Sequence, residues 1–124
     1  MTILILSLEK SAAGVGANMV DVTGMNSFSE EIKDGVSLVY VYAPWCGPCK
    51  VISPALVDLS EQYPDVKFLK VNSETGADIL TMLGVSTIPT VLIFKDGKRF
   101  SEDVGFRPNS IFEKNLKNAI SRSE

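Results

Sequence analysis

The chain carries both of its cysteines in one short segment, Trp45-Cys46-Gly47-Pro48-Cys49-Lys50. Residues three positions apart on a helix lie on one face, roughly 5–6 Å from each other, and a disulfide needs about that Cα separation. Cys46 and Cys49 can therefore form and break a disulfide with little movement of the backbone. A bridge that closes so small a loop constrains the unfolded chain by only roughly 2 kcal/mol, so chemistry explains the pair better than stability does.

Length and composition indicate one globular domain. The chain has 124 residues, of which 45% are apolar and 22% are charged, and its net charge is −3. This is the balance of an ordinary globular protein with a core of its own. No basic stripe with interleaved aromatic residues is present, so nucleic acid is excluded as a partner. No apolar run approaches the roughly 18 residues of a membrane span, so no membrane association is expected.

Histidine is absent from the sequence, which removes much of the usual catalytic repertoire. No Ser-His or Cys-His pair can form, so hydrolytic triads and Cys-His proteases are excluded. No metal site is expected within one chain, because two thiolates would need carboxylates to complete a tetrahedral zinc site. A half-site completed by a second chain, holding zinc or an iron–sulfur cluster, stays open as the alternative for the cysteine pair.

Hydrophobic periodicity alternates between the strand and the helix period from residue 19 onward. Strands are expected at residues 19–22, 36–42, 66–71, 89–94 and 98–104, and helices at residues 27–34, 46–63, 77–83 and 109–120. The strand at residues 36–42 is apolar at nearly every position, which is typical of a central strand covered on both faces. This order predicts an α/β fold with a central mixed sheet and helices on both faces.

Local signals indicate how the helices begin and bend. Ser27 with Glu30 has the spacing of a capping box at a helix N-terminus. Ser110 with Glu113 has the same spacing at the start of the last helix. Pro54 falls inside the long helix and is expected to kink it, because proline lacks a backbone donor and crowds the preceding turn.

Residues 1–18 differ from the rest of the chain and are expected to be an N-terminal extension. They combine a short apolar run with a stretch of small residues, yet the basic residue that should precede a signal sequence is missing. An extra edge strand or a flexible leader is the preferred interpretation, and residues 19–124 form the domain. A cytoplasmic location is expected; if residues 1–18 were a targeting segment, the protein would be exported or organellar.

Cys46 is placed to be the more reactive thiol. It follows a buried strand and lies at the first turn of the long helix, where unpaired N–H groups stabilise an anion. The thiolate is the attacking species in thiol–disulfide exchange. Cys49 lies one turn further into the helix and is placed to attack the mixed disulfide and release the product. Pro48 fits the first turn because its missing donor is not needed there.

The residues from Trp45 to Lys50 resemble the active-site motif of the thioredoxin family, which is far more specific than a bare C-x-x-C. The likeness extends over roughly residues 19–124 and leaves out the first 18 residues. It includes Ala43, the helix proline Pro54, the cis-proline loop Ile88-Pro89-Thr90, the hairpin Phe94-Lys95-Asp96-Gly97 and the pair Val104-Gly105.

The resemblance implies a thioredoxin fold and the activity of a protein-disulfide reductase. In the family pattern Cys46 is the nucleophile and Cys49 is the resolving thiol. Ile88 and the cis peptide bond before Pro89 are implied to bind the substrate backbone beside the disulfide. A flat apolar patch for docking target proteins is implied for Trp45, Gly47, Pro48, Ile88 and Gly105.

The resemblance also implies the partners and the cofactor requirement. Disulfide-containing proteins are the targets, and a thioredoxin reductase-type donor returns electrons to the protein, which thus serves electron transport and cell redox homeostasis. No cofactor is implied beyond the redox-active disulfide Cys46–Cys49. The chain is expected to act as a monomer.

Tyr40 departs from the family pattern. In typical bacterial thioredoxins a buried Asp stands at this position before the first cysteine and accepts, through water, the proton of the resolving thiol. A phenol with a pKa of about 10 is a poor base at neutral pH, so Cys49 is expected to deprotonate less readily than in relatives with the Asp, and turnover to be slower. Lys70 matches the lysine that usually neighbours this Asp and is expected to lack its partner. The alternative is that Tyr40 only packs in the core.

Two functions of different class fit this sequence. The favoured one is a catalytic dithiol reductant that a separate reductase keeps reduced. The alternative is a non-catalytic thioredoxin-fold subunit that is bound to a larger complex through the same apolar patch. An oxidant or isomerase is disfavoured, since such relatives usually carry histidine between the cysteines, where this chain has Gly47-Pro48.

Overall fold

The computed structural model describes residues 19–122, and its strands and helices follow one another in the expected order. The strands are β1 (Met19–Asp21), β2 (Val36–Tyr42), β3 (Lys67–Asn72), β4 (Thr90–Lys95) and β5 (Lys98–Val104). The helices are α1 (Met25–Ile32), α2 (Gly47–Gln62), α3 (Ala77–Leu83) and α4 (Asn109–Ser121). The expectation of an edge strand or leader in residues 1–18 lies outside the described residues.

The strands form one mixed sheet with the order β1-β3-β2-β4-β5. β2 pairs in parallel with β3 and antiparallel with β4, so it is the central strand. Its residues from Ser37 to Val41 are buried, as expected for a strand that is covered on both faces. The predicted α/β fold with a central mixed sheet is therefore confirmed. Among the helices of residues 19–122, none is long and apolar enough to cross a membrane.

Alternate residues of β2 face two separate cores. Leu38 and Tyr40 belong to the core cluster that contains both cysteines and includes side chains of α2 and α4. Val39 and Val41 belong to the cluster on the other face, which includes side chains of α1 and α3. Burying one such side chain contributes about 1.5–3 kcal/mol, so both faces hold the sheet in place. The strand period thereby puts Tyr40 on the side of the cysteine pair.

The capping box predicted at Ser27 and Glu30 is wrong. Helix α1 begins earlier, at Met25, so Ser27 lies inside it. The N-cap is Gly24, with a φ of 91° and no side-chain capping bond. The carbonyl of Gly24 instead accepts the N–H of Phe28 at 3.1 Å, which closes the first helical turn. The helix also ends at Ile32, short of the predicted end at residue 34.

The capping box predicted at Ser110 and Glu113 is also wrong. Helix α4 follows Pro108, whose φ of −63° already suits a helix start, and no side chain caps it. The Glu113 carboxylate accepts a hydrogen bond from the Tyr63 hydroxyl at 3.0 Å and lies 3.8 Å from Lys117 Nζ. The Glu113 carboxylate, which the pattern assigned to the helix cap, thus contacts Tyr63 just after α2 and Lys117 one turn further along α4.

Helix α2 confirms the long helix predicted after the cysteines and continues through Pro54. Proline has no N–H, so the carbonyl of Lys50, one turn earlier, receives no helical hydrogen bond from that position. The first turn of α2 is therefore held less by its own backbone than an ordinary helical turn is.

Candidate active site at the start of helix α2

Cys46 is the N-cap residue of α2. The chain leaves β2, forms a turn in which the Cys46 N–H donates to the carbonyl of Ala43 at 3.1 Å, and enters the helix at Gly47. The Cys46 Sγ accepts the backbone N–H of Cys49 at 3.2 Å. Pro48 lies in the first turn, where a helix needs no internal donor. A thiolate at Cys46 would be stabilised here, because both the N–H and the helix N-terminus favour negative charge.

Cys46 and Cys49 are joined by a disulfide, and their Cα atoms are 5.3 Å apart. Both residues are buried and belong to the same core cluster. The structure thus describes the oxidised form of the pair. Within residues 19–122, three or more His, Cys, Asp or Glu side chains nowhere come close enough to bind a metal ion.

Residues next to the cysteines in sequence, and one residue after Gly105, are exposed to solvent. Trp45 is 67% exposed, which excludes the interpretation that it is only a core residue. Gly47 and Pro48 are exposed after it. Phe106, which follows Gly105, is 57% exposed. Large apolar side chains that stay in water are typical of a surface that contacts other proteins.

The loop before β4 packs on the same side of the sheet as the cysteine pair. The peptide bond between Ile88 and Pro89 is cis, and the half-buried Ile88 packs against the core cluster that contains the cysteines. The Pro89 carbonyl accepts the N–H of Gly105 at 2.8 Å. Gly105 has a φ of 83°, in the left-handed region that favours glycine. This bond joins the loop to the end of β5, so Ile88, Pro89 and Gly105 lie in one neighbourhood.

Tyr40 reaches from β2 to the helix that carries Cys49. The residue is 1% exposed, and its hydroxyl donates a hydrogen bond to the carbonyl oxygen of Cys49 at 2.9 Å. A second bond, 2.8 Å long, joins the hydroxyl to Ser53 Oγ. Burial raises the pKa of Tyr40, and the bond to Ser53 lowers it in part. Tyr40 is thus in direct contact with Cys49, although through the Cys49 backbone.

Ser53 was not identified from the sequence. It is half-buried on α2, one helical turn after Cys49 and immediately before Pro54. The signal available in the sequence was this spacing, since residues four apart share a helix face. Without the position of Tyr40, however, the spacing does not distinguish a contact from a solvated serine.

Lys70 has no Asp at position 40 to pair with, as expected, but it pairs with a different carboxylate, Asp21. Its Nζ lies 3.8 Å from Asp21 Oδ2 of β1 and 5.2 Å from the centroid of the Tyr42 ring. The Tyr42 hydroxyl donates to Asp21 Oδ1 at 3.1 Å, and the Tyr42 and Tyr40 rings stack with centroids 5.5 Å apart. Burial, followed by the hydrogen bond to Asp21, raises the pKa of Tyr42. Asp21 was missed because only the pairing register of β1 with β3 brings it beside Lys70.

Comparison with known proteins finds thioredoxins, both by family model and by sequence identity. The family model described as Thioredoxin matches residues 19–118. A thioredoxin of Bacillus subtilis is 40% identical over 88 residues, which cover 70% of this chain and 85% of that relative. Thioredoxin 1 of Synechococcus elongatus is 36% identical over 105 residues, which cover 82% of this chain and 94% of that relative.

Solved structures agree with the sequence relatives. The crystal structure of mitochondrial thioredoxin 3 from Saccharomyces cerevisiae in its oxidised form matches with a TM-score of 0.78 at 31% identity. The match covers 85% of this chain and 99% of that one. The fold of this chain therefore matches that of a solved thioredoxin over most of both chains.

Proposed function

This chain belongs to the thioredoxin family, and from that premise we propose the roles of its individual residues in thiol–disulfide exchange. The chain is a thiol–disulfide oxidoreductase with the activity of a protein-disulfide reductase, and such proteins need no cofactor beyond their redox-active disulfide. We assign the attack on the target disulfide to Cys46 and the resolving step to Cys49. The observation that carries this assignment is the hydrogen bond from the Cys49 N–H to the Cys46 Sγ at the start of α2.

The reaction transfers two electrons from the protein to the target in two exchanges. The Cys46 thiolate attacks one sulfur of the target disulfide, that S–S bond breaks, and the other target sulfur leaves as a thiolate. The Cys49 thiolate then attacks the Cys46 sulfur of the mixed disulfide. This step forms the Cys46–Cys49 disulfide and releases the second target thiolate.

The target is proposed to dock on an apolar surface around the disulfide. This docking surface consists of Trp45, Gly47, Pro48, Ile88 and Gly105. The exposure of Trp45 supports it, because a large aromatic side chain in water is suited to brief contact with many partners. The hydrogen bond between Pro89 and Gly105 supports a fixed second wall against which the target backbone lies.

Two residues around the pair are proposed to influence the resolving thiol, namely Tyr40 and Lys70. Tyr40 contacts the Cys49 carbonyl directly, whereas Lys70 contacts the Tyr42 ring that stacks on Tyr40. Neither side chain carries a carboxylate that would accept the Cys49 proton. Slower resolution than in relatives with an Asp at this position is therefore expected.

The cellular role follows from the family. Disulfide-containing proteins are the targets, and we propose a thioredoxin reductase-type donor that returns the disulfide to the dithiol. We further propose that residues 19–124 form the thioredoxin domain and that the protein acts as a monomer in the cytoplasm.

Reduction of insulin by dithiothreitol tests the function. The native chain is expected to accelerate the precipitation of the insulin B chain, and Cys46→Ser is expected to return the rate to that of dithiothreitol alone. A native chain that accelerates nothing would favour the alternative of a non-catalytic binding subunit. Full acceleration by Cys46→Ser would contradict the assignment of the nucleophile.

A further inference from the structure

We propose that Ser53 is a positioning residue for the resolving step, acting through Tyr40 on the backbone of Cys49. The proposal rests on the proposed function, in which Cys49 attacks the mixed disulfide. It assigns Tyr40 a task other than proton transfer. It also adds to the site a residue that no motif marks.

The directions of the two hydrogen bonds follow from the number of protons available. A tyrosine hydroxyl has one proton, and a carbonyl oxygen can only accept a hydrogen bond. The bond from Tyr40 to the Cys49 carbonyl at 2.9 Å therefore uses the Tyr40 proton. The 2.8 Å bond between Tyr40 and Ser53 must then be donated by the serine. The chain of donors runs from Ser53 Oγ to Tyr40 Oη and ends on the Cys49 carbonyl.

This direction leaves Tyr40 unsuited to take the proton of Cys49. Burial raises the pKa of the phenol above its usual value, so at neutral pH it offers no phenolate as a base. Its proton is already committed to the carbonyl. What Tyr40 can do is hold the Cys49 backbone against the central strand of the sheet.

The first turn of α2 needs such a contact. Pro54 provides no N–H for the carbonyl of Lys50, which follows Cys49. When a target occupies Cys46, the disulfide no longer ties Cys49 in place. The Tyr40 hydroxyl then remains as a link from β2 to the Cys49 carbonyl, and Ser53 keeps that hydroxyl oriented. A small displacement of the attacking sulfur slows an exchange that needs near-attack geometry.

The test separates attack from resolution with an aromatic disulfide whose released thiolate is coloured. Attack by Cys46 releases one thiolate and resolution by Cys49 releases the second, so the two steps appear as two phases in stopped flow. Tyr40→Phe is expected to slow the second phase by about tenfold and Ser53→Ala by about threefold, the range of one or two neutral hydrogen bonds. The first phase is expected to stay within about twofold. Ser53→Thr, which keeps the hydroxyl, should restore the second phase.

A double variant gives the sharpest result. Since Ser53 acts only through the Tyr40 hydroxyl, Ser53→Ala should have no further effect in the Tyr40→Phe background. Independent, additive effects would overturn the proposal, and so would equal slowing of both phases. Tyr63→Phe and Ser60→Ala serve as matched controls. They remove the hydroxyls bonded to Glu113 and to the Val57 carbonyl, at and just after the C-terminal end of α2, away from the cysteines.

The outcome also distinguishes this proposal from the proposed function. A native chain that releases no coloured thiolate would refute the reductase mechanism itself. A native chain with two phases whose second phase is indifferent to Ser53→Ala would refute only the role of Ser53. If Tyr40→Phe failed to fold, the Ser53→Ala and Ser53→Thr pair would still decide, because Ser53 is only half-buried.

Discussion

Cys46 and Cys49 share one disulfide, yet the groups that contact them come from different parts of the chain. The Cys46 sulfur is contacted by a backbone N–H that its own segment supplies. The Cys49 carbonyl is contacted by Tyr40, a side chain on the central strand. The hydrogen bond at the Cys46 sulfur is therefore local in sequence, whereas the one at the Cys49 carbonyl depends on the tertiary fold. A substitution in the sheet should affect resolution by Cys49 without affecting attack by Cys46.

The largest effect expected from this contrast is on covalent trapping. Cys49→Ser retains the attacking thiolate but cannot resolve, so the mixed disulfide with a target should accumulate to nearly one per chain. Cys46→Ser lacks the attacking group at the helix N-terminus and should form almost no adduct. Intact-mass measurement after mixing each reduced variant with a peptide disulfide checks both. Equal trapping by the two variants would show that the two cysteines are not distinguished as proposed.

Features that depend on neighbouring residues could be predicted from the sequence, whereas contacts made by tertiary packing could not. The spacing of Cys46 and Cys49 predicted that they could form a disulfide, which the structure contains, and the nearly continuous apolar run predicted β2 with its bounds at Val36 and Tyr42. Tyr40 was recognised as unusual, but its bond to Ser53, 13 residues away, needs the packing of α2 on β2.

Predictions from local sequence patterns failed where the outcome depended on contacts outside the pattern. Asp21 beside Lys70 needed the register of two parallel strands, which hydrophobic periodicity does not specify. The capping boxes failed for a related reason. Ser27 and Glu30 have the right spacing inside a helix as well as at its start, and only the turn closed by Gly24 shows which applies.

A carboxylate at position 40 should increase the rate at which Cys49 resolves the mixed disulfide. Tyr40→Asp and Tyr40→Asn lose the same hydrogen bonds and leave similar cavities, so both should lose about 3 kcal/mol or more of stability. Only the Asp variant offers a proton acceptor beside Cys49. Resolution in Tyr40→Asp is therefore expected to be at least about tenfold faster at neutral pH than in Tyr40→Asn. The pH dependence of the second stopped-flow phase measures it, and equal rates would refute the need for an acceptor.

Removing the charge at Lys70 should have a smaller effect on the rate of resolution by Cys49. Lys70 reaches Tyr40 only through the Tyr42 ring, and its pair with Asp21 is half-exposed and worth about 1 kcal/mol or less. Lys70→Met is expected to slow resolution by at most about threefold and to lower stability slightly, an effect that salt should weaken. Lys67→Met on the same strand removes an ion pair with Glu31 and is the control, expected to leave resolution unchanged. A larger loss for Lys70→Met than for Tyr40→Phe would reverse the proposed order of influence.

The smallest effect concerns alkaline stability of the oxidised form, in which neither cysteine titrates. Because burial raises the pKa of Tyr40, the folded state holds the phenol proton more tightly than the unfolded state does. Stability is therefore unaffected below the usual tyrosine pKa of about 10 and falls as the pH rises from there through the raised value. Tyr40→Phe should make this decline shallower in chemical denaturation at several alkaline pH values.

Ser53→Ala should make the loss of stability at alkaline pH larger, which is the opposite of the effect expected for Tyr40→Phe. A serine that donates to the phenol oxygen stabilises the phenolate, so the bond from Ser53 lowers the pKa of Tyr40. Its removal should raise that pKa further and extend the loss of stability to higher pH. If Ser53→Ala instead made the decline shallower, the serine would be accepting the Tyr40 proton rather than donating its own. The Cys49 carbonyl would then have lost its donor, and the contrast between the two cysteines would need another cause.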